Sequence, residues 1–331
     1  MVYQGISKAK ISSKINIKTK FRESMASLQN AIMFFNKNSG QSGTGKKDQI
    51  IMQYFNERNI GLEIAYLPTS KEEIEEIISE GIKNNIDLFI AAGGDGTASL
   101  ISNYLFGTEQ KLAILPLGTG NLLAKELRIP PKLKDALELI TSSNVQVTKI
   151  DTMHMDGTTY ILNVSVGVTP KIMEETDSKD KQRLGIFAYL YHFFQQILGL
   201  KLHRFYLDID GQSSTYLASE VLITNGRSIG IENLQWSENM SLNDGELDIF
   251  IIRAANIYDI LSLLISVFRK NERLNPVIKI LKCRNYCRIT TQNPARIQAD
   301  GDPVSTTPLE ITVHPQSLSV IAGNNYQSRK D

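Results

Sequence analysis

Two kinds of apolar pattern alternate along the chain from residue 30 onward. Residues 31–35, 62–67, 86–92 and 111–115 are short, nearly unbroken apolar runs. Such runs predict strands of a parallel sheet buried on both faces. Between them the period becomes helical. Over residues 71–84, Ile74, Ile77, Ile78 and Ile82 fall on one stripe, and Thr69 or Ser70 offers a hydroxyl cap. One helix is predicted to end near Arg58 and another to cover residues 122–127. Strand and helix in alternation predict an N-terminal α/β domain built on a parallel sheet.

After about residue 141 the pattern shortens. Residues 145–155 and 160–168 read as strands joined at Asp156-Gly157, and residues 205–210 and 216–224 as a pair around Asp210-Gly211. Further strands are predicted over 247–252, 277–280 and 284–290, with helices over 184–198 and 255–269. The expectation is a mainly antiparallel, β-sandwich-like C-terminal domain. The division is a basic, flexible arm over 1–28, an α/β domain over 29–143 and a β-rich domain over 144–317. The strand-like run 318–322 is free to return to the first domain.

Composition narrows the class. At about 150 residues per domain, 331 residues make two domains. With 42% hydrophobic and 21% charged residues the chain is neither collagen nor coiled coil nor disordered. A net charge of +1 argues against a dedicated nucleic-acid partner. The charge is uneven, because residues 1–22 hold six Lys/Arg and no acid. That arm is read as solvated, or as drawn to an anionic membrane surface. The two cysteines, Cys283 and Cys287, are expected to be reduced. Without an apolar run of about 18 residues no membrane span is expected, and the setting is read as cytoplasmic.

The candidate chemistry lies in glycine loops. Gly93-Gly94-Asp95-Gly96-Thr97 follows a predicted strand and opens a predicted helix. Glycine lets the backbone approach phosphate oxygens, and a helix N-terminus adds N–H donors and a positive dipole end. Asp95 would repel phosphate unless magnesium bridged the two. Leu115-Pro116-Leu117-Gly118-Thr119-Gly120-Asn121 repeats the arrangement after the next strand, with Asn121 read as a helix cap or a ligand contact. Gly40-Gln41-Ser42-Gly43-Thr44-Gly45-Lys46-Lys47 nearly matches a P-loop, but Lys47 stands where the magnesium-binding hydroxyl belongs. Asp300 and Asp302 flank Gly301 and would share one face of an extended segment, although Asp-Gly followed by Asp-Pro is also strong turn chemistry.

Taken together, these motifs resemble the diacylglycerol kinase catalytic-domain family, which includes bacterial lipid kinases and sphingosine kinases. The resemblance covers nearly the whole chain beyond the arm. Asn36-Lys37-Asn38-Ser39-Gly40 is similar to the family's first nucleotide loop, Leu242-Asn243-Asp244-Gly245-Glu246-Leu247 to a second-domain Asp-Gly segment, and Asp300-Gly301-Asp302 to the late motif with the catalytic carboxylate. The resemblance implies a two-domain kinase with ATP in the cleft. The nucleotide site would comprise Asn36, Lys37, Asn38, Ser39, Gly40, Thr69, Gly93, Gly94, Asp95, Gly96, Thr97, Ala98, Ser99 and Thr119. Mg2+ would be held by Ser241, Asp244 and Glu246, the first and third through backbone carbonyls. Asp302 would be the general base toward a hydroxyl of diacylglycerol or a related lipid, supported by Asp300. Lys37 departs from the family's proline and Asp302 from its glutamate.

A lipid acceptor implies a membrane substrate and a peripheral membrane contact, and leaves room for a homodimer. The aromatic residues Phe187, Tyr189, Tyr191, Phe193 and Phe194 read as core or as a lipid-contacting wall, and residues 257–268 read as core. The alternatives are an NAD kinase-like enzyme, or a nucleotide- or lipid-binding relative without turnover.

Overall fold

The computed structural model describes residues 30–39, 46–167, 201–227, 240–268 and 275–327. The arm, Gly40 with the rest of the near P-loop up to Gly45, and the aromatic segment 184–198 lie outside the described residues.

The first half holds β1 (Asn30–Asn36), β2 (Gly61–Leu67), β3 (Leu88–Gly93) and β4 (Lys111–Pro116), all parallel in the order β2-β1-β3-β4. β3 and β4 are buried along their full length, which is why their sequences are apolar without alternation except at Lys111, which pairs with Asp87. Around them pack α1 (Lys47–Asn56), α2 (Lys71–Lys83), α3 (Asp95–Leu105), α4 (Leu122–Glu126) and α5 (Leu133–Ile140). Ser70, not Thr69, caps α2 by accepting the Glu73 N–H at 3.1 Å. This contact contributes about 1 kcal/mol. Gly81 in the body of α2 is a packing residue. A methyl there would lie 2.6 Å from Ile32 Cδ1, so its absence lets the helix sit close on the sheet.

The second half contains β5 (Gln146–Met155), β6 (Thr158–Tyr160), β7 (Asn163–Gly167), β8 (His203–Ile209), β9 (Gln212–Ala218), β10 (Glu220–Thr224), β11 (Leu247–Ile252), α6 (Ile257–Phe268), β12 (Ile278–Cys283), β13 (Tyr286–Thr291), β14 (Arg296–Ala299), β15 (Asp302–Thr306) and β16 (Leu309–Ala322). β12-β11-β10-β7-β14-β15 form an antiparallel sheet. A facing sheet continues from the first half as β4-β16-β13-β8-β9. Met153, Val164, Phe205, Ile249, Ile297 and Ile311 belong to one buried cluster that both sheets supply, which gives the sandwich. β16 is the shared strand. Ser319 and Val320 pair in parallel with Lys111 and Leu112 of β4, while residues 309–312 pair antiparallel with β13.

Two predicted strands are each divided. The run 160–168 breaks at Ile161 and Leu162, which are buried in the first core while β7 enters the second sheet. The run 216–224 breaks at Ser219, whose N–H and hydroxyl both donate to Ile252 O, so that β9 and β10 lie in different sheets. Helix α6 also differs from the expectation of core. Leu263 packs with Met240, Phe250 and Ile278 on the outer face of the second sheet, but Tyr258, Leu261 and Ile265 are exposed.

Candidate functional site

The two glycine loops leave the carboxyl ends of β3 and β4, neighbours paired through Gly93 and Pro116. Ligands of open parallel sheets bind at such ends. Leu117 N and Gly118 N both donate to Gly93 O, at 2.9 and 3.1 Å. A methyl on Gly118 would lie 2.5 Å from Gly94 Cα, so glycine is required for the backbones to touch. A methyl on Gly93 would strike Thr97 Oγ1 at 2.2 Å, whereas one on Gly96 would meet no atom within 4 Å. Gly96 is therefore the open point of the loop.

The side chains of this loop mostly face inward. Thr97 is buried, and its Oγ1 accepts from Asn36 Nδ2 at 3.2 Å, tying α3 to the end of β1. Asn36 also accepts the Asn38 N–H at 2.9 Å and so shapes the first loop around Lys37 and Ser39. Thr97 N and Ala98 N donate to Gly94 O. The first-turn donors at Asp95 and Gly96 are of the kind a helix start leaves without intrahelical acceptors. Asp95 accepts the Leu123 N–H at 3.0 Å and so closes the start of α4. Its charge is thus set against a helix N-terminus, not simply against a phosphate as the sequence implied.

Asn121 neither caps α4 through its side chain nor points away. It sits in the left-handed region at φ 49°, accepts Gly118 N at 3.0 Å and donates to Gly118 O at 2.7 Å, clamping the second loop from within. Thr119 is exposed on that loop. Lys37 lies over the Tyr66 ring at 3.8 Å. The Tyr66 hydroxyl donates to Asp48, which raises the phenol above its usual range. Thr69 donates to the Glu73 carboxylate, which occupies its hydroxyl hydrogen.

Asp300 and Asp302 do not share a face. Ala299 pairs with Asp302, so Asp300 and Gly301 are the two turn residues of a hairpin, with φ 47° and 99°. Positive φ at both positions is the signature of a type I′ turn and explains Asp-Gly there. Asp300 is buried and Asp302 exposed. Asp300 Oδ1 accepts Leu162 N and Asn163 N at 2.9 and 3.0 Å, and Oδ2 accepts Ile161 N at 2.9 Å and Ser99 Oγ at 2.6 Å. Burial raises the Asp300 carboxyl, against the Ser99 hydroxyl and the three N–H groups. The Ser99 hydroxyl hydrogen is thereby donated to Asp300.

The second-domain Asp-Gly loop is organised by a residue the sequence reading missed. Asp151 is fully buried, and its carboxylate accepts Gly245 N at 2.7 Å and Gln316 N at 2.8 Å. Burial raises it, the two N–H groups oppose that, and Asp244 adds to the rise. Its one signal in the sequence is a lone acid within the apolar strand 145–155. Burial likewise raises Asp244, with Lys282 opposing. Glu246 is held below its usual range by Arg284, whose guanidinium lies 2.6 Å away, and by Lys282. Ser241 Oγ donates to Asn243 Oδ1 at 2.7 Å. Of the three implied magnesium ligands, Asp244 offers the carboxylate, and the other two would offer main-chain carbonyls. This donor set fits one oxygen-bound cation. Among the described residues, no group of three or more His, Cys, Asp and Glu side chains is arranged to hold a metal.

Glycine loops joined at adjacent parallel strand ends, with a carboxylate hairpin fastened to the helix they open, define a phosphate-handling two-domain α/β enzyme. Comparison with known proteins makes this specific. The family model described as "Diacylglycerol kinase catalytic domain" matches residues 30–155, and "YegS C-terminal NAD kinase beta sandwich-like domain" matches residues 162–322. Residues 30–155 therefore form a diacylglycerol kinase catalytic domain, the kind found in phosphotransferases with alcohol acceptors.

"Uncharacterized protein sll0036" of Synechocystis sp. is 28% identical over 304 residues, covering 88% of this chain and 69% of that one. "Putative lipid kinase SAS0691" of Staphylococcus aureus is 27% identical over 259 residues, covering 76% and 82%. A crystal structure described as a "putative diacylglycerol kinase" from Bacillus anthracis shares the fold at a TM-score of 0.75 and 22% identity, covering 98% of this chain and 100% of that one.

Proposed function

We propose that this chain transfers the γ-phosphate of ATP, with Mg2+, to a hydroxyl of diacylglycerol or a related membrane lipid. The observation that carries the reading is the contact between the two glycine loops, which leaves Gly96 open at the start of α3. Phosphoryl transfer depends on positioning and charge neutralisation more than on covalent chemistry. The α3 N-terminus supplies donors for phosphate oxygens, and Asn36, Thr97 and Asp95 keep the loop in shape. Asn38, Ser39 and Thr119 lie on the other loops that leave the same ends of the sheet.

Asp302 takes the proton of the acceptor hydroxyl while that oxygen attacks the γ-phosphorus. The bond to the bridging oxygen breaks and ADP departs. Aspartate is one methylene shorter than glutamate, and its position at the first residue of β15 holds that carboxylate on a strand rather than on the turn itself. Magnesium, when bound, neutralises phosphate charge. Asp244, with main-chain carbonyls of Ser241 and Glu246, would hold an ion in the second domain.

The acceptor lies in a bilayer, so the enzyme works as a peripheral protein at the cytoplasmic membrane surface. The exposed Tyr258, Leu261 and Ile265 of α6 support an apolar contact there. Among the described residues no helix is long and apolar enough to cross a membrane.

The test is transfer of labelled γ-phosphate from ATP to diacylglycerol, monoacylglycerol, sphingosine, ceramide and phosphatidylglycerol in mixed micelles, with and without magnesium. NAD joins the panel because the matched second-domain model is described as NAD kinase-like. A magnesium-dependent lipid product, lost in Asp302→Asn, is expected. Label entering NAD alone would replace the lipid acceptor with a dinucleotide.

A further inference from the structure

We propose that Ser99 and Asp300 form a positioning pair that sets the distance between the phosphate-binding helix and the residue accepting the lipid proton. This rests on the proposed reading that phosphates sit at the start of α3 and that Asp302 is the base. Neither Ser99 nor Asp300 then touches a substrate; each acts through another residue.

The Ser99 hydroxyl has one hydrogen, which it donates to Asp300 Oδ2 at 2.6 Å. Ser99 lies just beyond the first turn of α3, so this bond reaches from the phosphate end of the helix to the β14–β15 hairpin. Asp300 is fixed from the other side by N–H groups of Ile161, Leu162 and Asn163, where the chain passes from the first sheet to the second. Asp300 N also donates to Asn163 O at 2.9 Å. A carboxylate held by four donors from two elements is a rigid node, and an amide would offer one acceptor oxygen where two are used. Asp302 follows two residues later, at the first position of β15. A short charge-assisted bond therefore spans the two halves of the reaction site. A misplacement of about 1 Å in such a site can cost about a hundredfold in rate.

Helix α3 has a second tie, at its far end, where Asn103 Oδ1 accepts Thr159 N at 2.8 Å. It supplies the control, because it fastens the same helix through Thr159 and not through a side chain of the hairpin turn.

The experiment measures kcat for lipid phosphorylation and the dissociation constant of ATP for Ser99→Ala, Ser99→Thr, Asp300→Asn, the Ser99→Ala/Asp300→Asn double variant, Asn103→Ala and Asp302→Asn. Ser99→Ala is expected to lose about tenfold or more in kcat with the ATP dissociation constant within about twofold of wild type. Ser99→Thr should recover most of that loss. The double variant should be no worse than Asp300→Asn, as for two members of one contact. Asn103→Ala should keep kcat near wild type.

Weaker ATP binding at unchanged kcat in Ser99→Ala would overturn the pair, because Ser99 would then be a phosphate contact. An equal fall of kcat in Asn103→Ala would overturn it too, by making the effect one of general tethering. If Asp300→Asn does not fold, Ser99→Ala and its threonine rescue decide alone. Full activity in Asp302→Asn would sink the base assignment and with it the purpose of the pair. Inactive Asp302→Asn beside wild-type Ser99→Ala would sink only the pair.

Discussion

Two hairpin turns in this molecule are built alike and do different work. Asp210-Gly211 joins β8 to β9, and Asp300-Gly301 joins β14 to β15. Both aspartates sit at positive φ, 51° and 47°, with glycines at 85° and 99°. Both carboxylates collect three successive N–H groups. Asp210 takes those of Arg284, Asn285 and Tyr286 at 2.8, 2.8 and 3.0 Å. Asp300 takes those of Ile161, Leu162 and Asn163.

The difference is what stands behind the N–H groups. For Asp210 it is the neighbouring β12–β13 corner, close to water. Burial works to raise that carboxyl, but the N–H groups of Arg284, Tyr286 and Asn285 outweigh it and hold it below the usual range. For Asp300 it is the crossing between the two sheets, and burial prevails, so the carboxyl is raised. One motif serves as a local staple in one place and as a joint between domains in the other. Local chemistry sets the turn; the depth and identity of its partners set its role.

The largest break in this comparison comes from the carboxylates. Asp300→Asn should cost about 3 kcal/mol in urea unfolding, because a buried acceptor of four bonds becomes half donor, while Asp210→Asn should cost about 1 kcal/mol. Equal losses would mean that depth does not separate the two turns. Next come the glycine loops that the Asp300 joint faces. Gly118→Ala must push Gly118 off Gly94 and should cost about 1–3 kcal/mol, whereas Gly96→Ala has open space and should leave the melting temperature nearly unchanged while weakening ATP binding.

A finer cut uses the turn glycines. Gly211→Ala and Gly301→Ala should each lose about 1–2 kcal/mol to left-handed strain, yet only the second should slow phosphate transfer, read in the micelle assay. The smallest effect lies away from both turns. Burial and the neighbouring His154 ring, 5.7 Å away, hold His314 below its ordinary 6.5. The native state then binds fewer protons than the unfolded chain, so this contribution is present above pH 6.5 and lost as pH falls below it. His314→Gln should flatten the fall in melting temperature between pH 7 and 5.

Much of this molecule could be read in one dimension. The parallel strands were legible because a strand buried on both faces must be almost wholly apolar, as β3 and the part of β4 beyond Lys111 are. The turns at Asp156 and Asp210 were legible because Asp-Gly tolerates positive φ cheaply, the turn at Asp300 only as the alternative to an extended segment, and α2 because its stripe of isoleucines has a helical period. The glycine motif was legible because only glycine permits the contact of Gly94 with Gly118. Other features depend on partners far away in the chain. Nothing near Ser99 marks its bond to Asp300, 201 residues later, nor does anything near Asp151 mark the loop at Gly245 and the bulge at Gln316 that it fastens. Ser219 and Ile161-Leu162 look like continuous strand until the second sheet claims one side of each. Exposure of Tyr258, Leu261 and Ile265 depends on which face of α6 the second sheet covers. Periodicity and turn chemistry are properties of neighbours in sequence, whereas burial, charge balance and the pairing of a lone donor with a lone acceptor arise only when distant segments meet.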